Sequence, residues 1–170
     1  VLSSHYRTEG NFTWGILLAS QNRLDNWRNI AALRHQTHDT LRDDDEKSSD
    51  DSSVSLLAAK QALLLALSED LDTPGALAII DEAFSKFEAA NIDDIHQFSL
   101  VQLLESVDSL LGIHLIDSTP DISDQQKQLI LERERARDTK DWANSDRLRD
   151  TLAEQGVQVR DTSHGTVWGY

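Results

Sequence analysis

The sequence predicts a mainly α protein: an antiparallel helical bundle followed by a small α+β domain of two helices and a C-terminal β-hairpin. Three observations predict it. Apolar residues recur at helical spacing along most of the 170 residues, as in Leu100, Val101, Leu103, Leu104, Val107, Leu110 and Leu111. Cap and stop signals bracket those runs, with Thr73–Pro74 and Ser123 at starts and Gly112 and Gly156 at ends. Only the closing segment alternates, with Val157 and Val159, then Val167 and Trp168, around the turn-like TSHG.

Taken in order, Trp14 to about Leu41 reads as one long amphipathic helix carrying Ile16, Leu17, Leu24, Trp27, Ile30, Ala31 and Leu33 on its apolar side. Residues 43–53 are acidic and serine-rich, cannot bury apolar surface, and read as a solvated flexible loop. A second helix runs from about Ser53 to Ser68 with Leu56, Leu57, Leu63, Leu64 and Leu67. A third extends to Ala90, with Thr73 as its expected cap and Pro74 at its first position. Ser99 is the expected cap of a fourth, which Gly112 stops, and four such helices should pack as a bundle. Residues 116–122, with the second of two prolines, read as a linker. Ser123 caps a fifth helix to Arg137, and Asp138 or Thr139 is expected to cap a sixth, from about Lys140 to Gln155.

Composition narrows the function. Hydrophobic residues are 39% and charged residues 27%, an ordinary soluble composition with no run long enough to span a membrane and no signal-peptide pattern. The absence of cysteine excludes disulfides, a thiol nucleophile and thiolate metal sites, and suits a reducing cytoplasm. A chain that starts at Val1 and contains no methionine is expected to be a piece of a longer one. The net charge of −14 argues against nonspecific nucleic-acid binding, DNA included, because neutralising phosphates takes an excess of cations. Residues 126–160 differ from their surroundings: basic and acidic side chains nearly balance there.

The balanced stretch is RERARDTKDWANSDRLRD, residues 133–150. On a helix through it, Leu148 and Leu152 mark the buried stripe, with Asn144 and Ser145 alongside, while Trp142 lies off that stripe with Asp146 and Arg149. Trp142 either packs against the neighbouring hairpin or serves as a stacking platform for an unpaired base. The mixed charges suit base reading, since arginine donates to guanine and aspartate accepts from amino edges. Arg137, Asp146 and Asp161 supply that chemistry, and a set of structural ion pairs is the competing account of them.

The pattern RxxxRxxKDWxxxDxxRDxLxxxGVxVxDTxxGTxW resembles the C-terminal end of cysteinyl-tRNA synthetases. LSSHYRTEGNF (residues 2–12) resembles the segment after their KMSKS-type loop, and ALSEDLDTPGALAII (66–80) their DALR-type bundle signature. The resemblance implies residues 1–12 as the end of the segment following the catalytic domain, 13–115 as the helical bundle, 116–122 as the linker and 123–170 as the anticodon-binding domain. By position, Arg137 and Asp146 would read the guanine that begins the anticodon of the cysteine tRNA, Trp142 would stack in the loop, and Asp161 would read the following cytosine. Arg133, Lys140, Arg149 and Trp168 would support them.

The family's HIGH-type ATP motif, KMSKS-type loop and zinc ligands are missing, so no catalytic or metal-binding residue is assigned. ATP and zinc would belong to a catalytic domain acting in cis. An acidic interaction module without RNA binding is the rival reading, and intact Arg137, Trp142, Asp146 and Asp161 count against it. A ligase joining cysteine to an amino sugar would have no use for these residues. Outside the resemblance, His35, His38 and Asp39 stand at helical spacing but lack a fourth ligand, and are expected to be exposed. Glu69, Asp70 and Asp72 fit favourable charge before a helix N-terminus.

Overall fold

The computed structural model describes residues 2–36, 51–89, 95–162 and 165–169. These form six α-helices, one 3₁₀ turn and a two-stranded antiparallel ribbon. The order is α1 (Trp14–Ala32), the turn (Leu33–His35), α2 (Asp51–Ser68), α3 (Thr73–Ala89), α4 (Gln97–Leu111), α5 (Asp124–Asp138), α6 (Trp142–Glu154), β1 (Gln158–Thr162) and β2 (Gly165–Gly169). The class is the one the sequence predicts. Among the described residues no helix is long and apolar enough to cross a membrane.

The Thr13 hydroxyl accepts the Ile16 amide (3.1 Å) and starts α1. Ile16 and Leu17, expected on the buried side, stand exposed beside Trp14 and Leu18. Burial is reached at Trp27, Ile30 and Ala31. The helix also ends earlier than expected. Arg34 turns inward to donate to the Ala31 carbonyl (2.6 Å), and the chain tightens into the 3₁₀ turn. Residues 37–41 of the expected helix lie outside the described residues.

α2 begins at Asp51, so residues 51–53 of the expected loop are helical, and 43–50 lie outside the described residues. Leu56 and Leu63 are buried, while Leu57 and Leu64 are exposed. α3 opens one residue earlier than expected. Thr73 is already helical, and the capping carboxylate is that of Asp72, which accepts the Gly75 amide (3.0 Å). A Cβ at position 75 would meet that carboxylate, which would have to shift to admit it. α4 is capped by the His96 ring, which accepts the Ser99 amide (3.3 Å); Ser99 itself is buried inside the first turn. Gly112, at φ 64°, ends α4 in the left-handed conformation only glycine adopts readily.

The main core gathers Trp27, Leu63, Ile80, Phe84, Leu100 and Leu104 from α1 to α4. Phe84 is fully buried edge-on to Trp27 (6.0 Å, 90°), and a side chain of that size contributes about 1.5–3 kcal/mol by leaving water. The Trp27 indole N–H is satisfied by Asp81 Oδ1 (2.8 Å). At one edge of the bundle, Tyr6 donates to Asp70 (2.7 Å) and Arg7 pairs with the same carboxylate (2.7 Å). Asp70 therefore ties down the N-terminal segment, and of the three acids before α3 it is Asp72 that acts at the helix end.

A second core holds Ala32, Ile122, Ile130, Leu152, Val157, Val159 and Trp168. Ala32 closes α1, so the C-terminal unit packs on the end of the bundle's first helix. Gln36 completes the junction as a surrogate strand, accepting the Trp168 amide and donating to the Trp168 carbonyl, both at 2.9 Å. His35, expected to be exposed, is half-buried and stacked on Trp168 (6.1 Å, 11°). Residues 115–122 are held as well. Asp108 accepts the Leu115 and Ile116 amides (2.6 and 2.9 Å), and Arg34 donates to the Thr119 hydroxyl and carbonyl (2.7 and 2.6 Å).

Candidate nucleic-acid interface

Ser123 and Gln126 form a reciprocal capping box that starts α5, and the helix runs one residue past Arg137 to Asp138. The connection to α6 is tight. Thr139 closes α5, Lys140 takes a left-handed φ of 60°, and the Asp141 amide donates to the Ala136 carbonyl (2.7 Å). The cap of α6 is therefore Asp141, whose side chain accepts the Asn144 amide (3.3 Å), and not Asp138 or Thr139. Lys140 lies outside the helix for the same reason. Ser145, Leu148 and Leu152 form the buried stripe, as their spacing predicts, and Trp142 becomes the first residue of α6.

Gly156, at φ 81°, turns the chain from α6 into β1. In the ribbon, Val159 pairs with Trp168 and Asp161 with Thr166. Residues two apart share a face of a strand, so the face that buries Val159 and Trp168 carries Asp161 outward toward α5. There Arg133, only 2% exposed, donates Nη1 to Asp161 Oδ1 (2.8 Å) and Nη2 to Oδ2 (2.7 Å). Arg137, one turn on along α5, places Nη1 3.1 Å from Oδ2. The Thr166 hydroxyl donates to Oδ1 (3.1 Å). Arg137 then lies over the Trp142 ring, 5.7 Å from its centroid. Trp142 remains 55% exposed and is not packed away beneath the hairpin.

The fold thus brings Arg133, Arg137, Trp142 and Asp161 into one chain of contacts. Asp146 stands exposed one turn beyond Trp142, and its charge adds to that of Asp161, the main cause, in raising the Arg133 pKa; Lys140, in the connection between the helices, and Arg149, on α6, are exposed as well. Trp168 is not at this surface. It is buried 8% exposed in the second core against His35, so its contribution is to hold the ribbon. Thr166 was not legible as a member, although the alternation of the hairpin would have paired it with Asp161.

The electrostatics follow the geometry. The Arg133 fork, aided by Thr166 and Arg137, holds the Asp161 carboxyl down at about 2, well below the usual carboxylate value. A depressed carboxylate contributes stability that is complete above its unfolded pKa of about 4 and disappears as pH falls through the folded value near 2. The stability difference between the chain and Asp161→Asn should therefore be constant above about pH 5 and shrink toward pH 2. Urea unfolding at a series of pH values measures it, and a difference that stays flat to pH 2 would contradict the assignment.

The helix pair and ribbon present cations, a carboxylate and an open indole at one edge, and residues 119–168, which contain them, match the family model for the cysteinyl-tRNA ligase anticodon binding domain. Nearly the whole chain, 99%, is similar to cysteine–tRNA ligases, being 31% identical to that of Aliarcobacter butzleri, 30% to that of Campylobacter concisus and 28% to that of Chlorobaculum tepidum. The chain is thus similar to cysteine–tRNA ligases along nearly all of its own length, and it spans 36% of the length of these relatives. The family match begins at Thr119, the residue Arg34 grips from the bundle.

Proposed function

We propose that this chain is the tRNA-binding portion of a cysteine–tRNA ligase and that it engages the anticodon loop of the cysteine tRNA through the edge formed by α5, α6 and β1. One observation carries the reading: Trp142 is held open to solvent at the start of a helix with a guanidinium across its face. Water gives nothing for exposing an indole, whereas an unpaired base stacks on it favourably. Arg137 and Asp146 flank it as donor and acceptor for a guanine. Asp161 stands differently. Arg133, Arg137 and Thr166 already occupy both its oxygens, so we assign its first role to holding Arg137. Reading the cytosine directly would require Arg137 to release it. Lys140 and Arg149 supply charge toward the backbone phosphates.

In this reading the remainder of the ligase, acting in cis, adenylates cysteine with ATP and carries any zinc. The donors described in this chain do not fit zinc: there is no cysteine, and His35 gives its Nε2 to the Thr119 carbonyl (3.0 Å).

The test is binding of this chain to an RNA hairpin with a GCA anticodon loop, against a matched hairpin with the first base changed, at fixed low salt. Preference for GCA is expected. Trp142→Ala should weaken GCA binding by about 1–3 kcal/mol, the usual worth of one stacked base. Equal affinity of Trp142→Ala and the parent chain would remove the stacking role, and equal binding of both hairpins by the parent would remove the reading.

A further inference from the structure

Arg133 cannot touch RNA, because its side chain is 2% exposed. Its place is also a poor source of stability. A buried guanidinium loses its hydration, its Nε has no partner among the described residues, and such pairs often do no better than apolar replacements. What the fork does is remove freedom. Two parallel bonds, 2.8 and 2.7 Å, fix the plane of the Asp161 carboxylate, and Thr166 pins Oδ1 from the facing strand. That leaves Oδ2 aimed at Arg137 (3.1 Å), whose guanidinium is thereby set over Trp142. Without the fork, a surface arginine on a flexible stem would sample many rotamers and pay ordering entropy on binding.

We propose that Arg133 is the positioning residue for anticodon discrimination: through Asp161 it holds Arg137 in place over Trp142 before RNA arrives. The proposal rests on the anticodon reading above and adds a buried residue to it. It accounts for a cation kept where it can neither meet a phosphate nor shed its charge.

The experiment uses the whole chain labelled with 5-fluorotryptophan, whose four fluorine resonances are assigned by tryptophan-to-phenylalanine exchange. Arg133→Lys keeps the charge but loses the two-pronged geometry. The double variant Arg133→Met/Asp161→Leu removes both charges and so leaves no orphan cation to unfold the chain. Arg137→Met supplies the reference for an uncovered Trp142. In both test variants the Trp142 resonance should move toward the Arg137→Met position while the Trp27 resonance stays put. Preference for the GCA hairpin over the first-base variant should fall by about tenfold, within the range one bidentate contact provides. A preference retained in the folded variants overturns the proposal, whatever the resonance does. So does an unmoved Trp142 resonance. A parent chain without preference overturns the anticodon reading instead, and this proposal with it.

Discussion

Arg34→Met should lower the unfolding free energy by about 2–4 kcal/mol, measured by urea denaturation. Arg34 is 7% exposed and donates to the carbonyls of Ala31, Ile116 and Thr119 and to the Thr119 hydroxyl, at 2.6 to 3.0 Å. Hydrogen bonds from a charged donor contribute about 1.5–3 kcal/mol each, and buried acceptors left without a donor cost comparably. Two offsets keep the sum moderate. Burying the guanidinium already costs hydration, and Thr119 and Ile116 retain other donors: His35 Nε2 on the Thr119 carbonyl (3.0 Å) and the Thr119 amide on that of Ile116 (3.3 Å). Methionine fills much of the space, so the lost bonds dominate. Because these bonds tie the end of α1 to the start of the family-matched region, the second core should loosen first. Amide exchange should then speed up in the ribbon before it does in α3. A loss below about 1 kcal/mol would show that Arg34 is no anchor.

Asp161→Ala should cost about 2–4 kcal/mol of stability, apart from any effect on RNA. It leaves the Arg133 guanidinium, whose pKa is raised by that same carboxylate, buried and charged with its main partner gone. Breaking a fully buried pair costs about 3–5 kcal/mol. The value here is lower because the Asp161 side chain is 34% exposed and the charges of Glu134 and Asp146 partly compensate. Arg133→Met/Asp161→Leu should return to within about 1 kcal/mol of the parent chain, since the orphan charge goes with the pair. If Asp161→Ala costs no more than an exposed pair, about 0–1 kcal/mol, the buried fork is not the clamp described. Loss of RNA discrimination in Asp161→Ala alone is therefore ambiguous, which is why Arg133→Lys carries the functional test.

Much of this was legible in the residues. Helical periodicity determined the six helices, because an amphipathic stripe reports its own burial through spacing. Gly112 and Gly156 announced their turns, since left-handed φ values favour glycine, and Ser123 announced the start of α5. Alternation determined the ribbon. The motif also singled out Arg137, Trp142, Asp146 and Asp161. Caps were less legible: Asp72, His96 and Asp141 displaced Thr73, Ser99 and Asp138 or Thr139, because several polar residues near a helix start compete and local geometry picks one.

Only the tertiary structure decided what the charged residues do. Arg34 reads as an ordinary surface arginine until residues 116 and 119 are seen to need its donors, 82 and 85 positions away. Arg133 and Asp161 are 28 positions apart, and nothing in periodicity says that one is buried and grips the other. Trp168 and Trp142 are both tryptophans of one motif, yet one closes a core and the other stands open. Spacing encodes which face of an element is apolar, but a polar side chain takes its role from the donors and acceptors that folding brings within about 3 Å, and those come from distant parts of the chain.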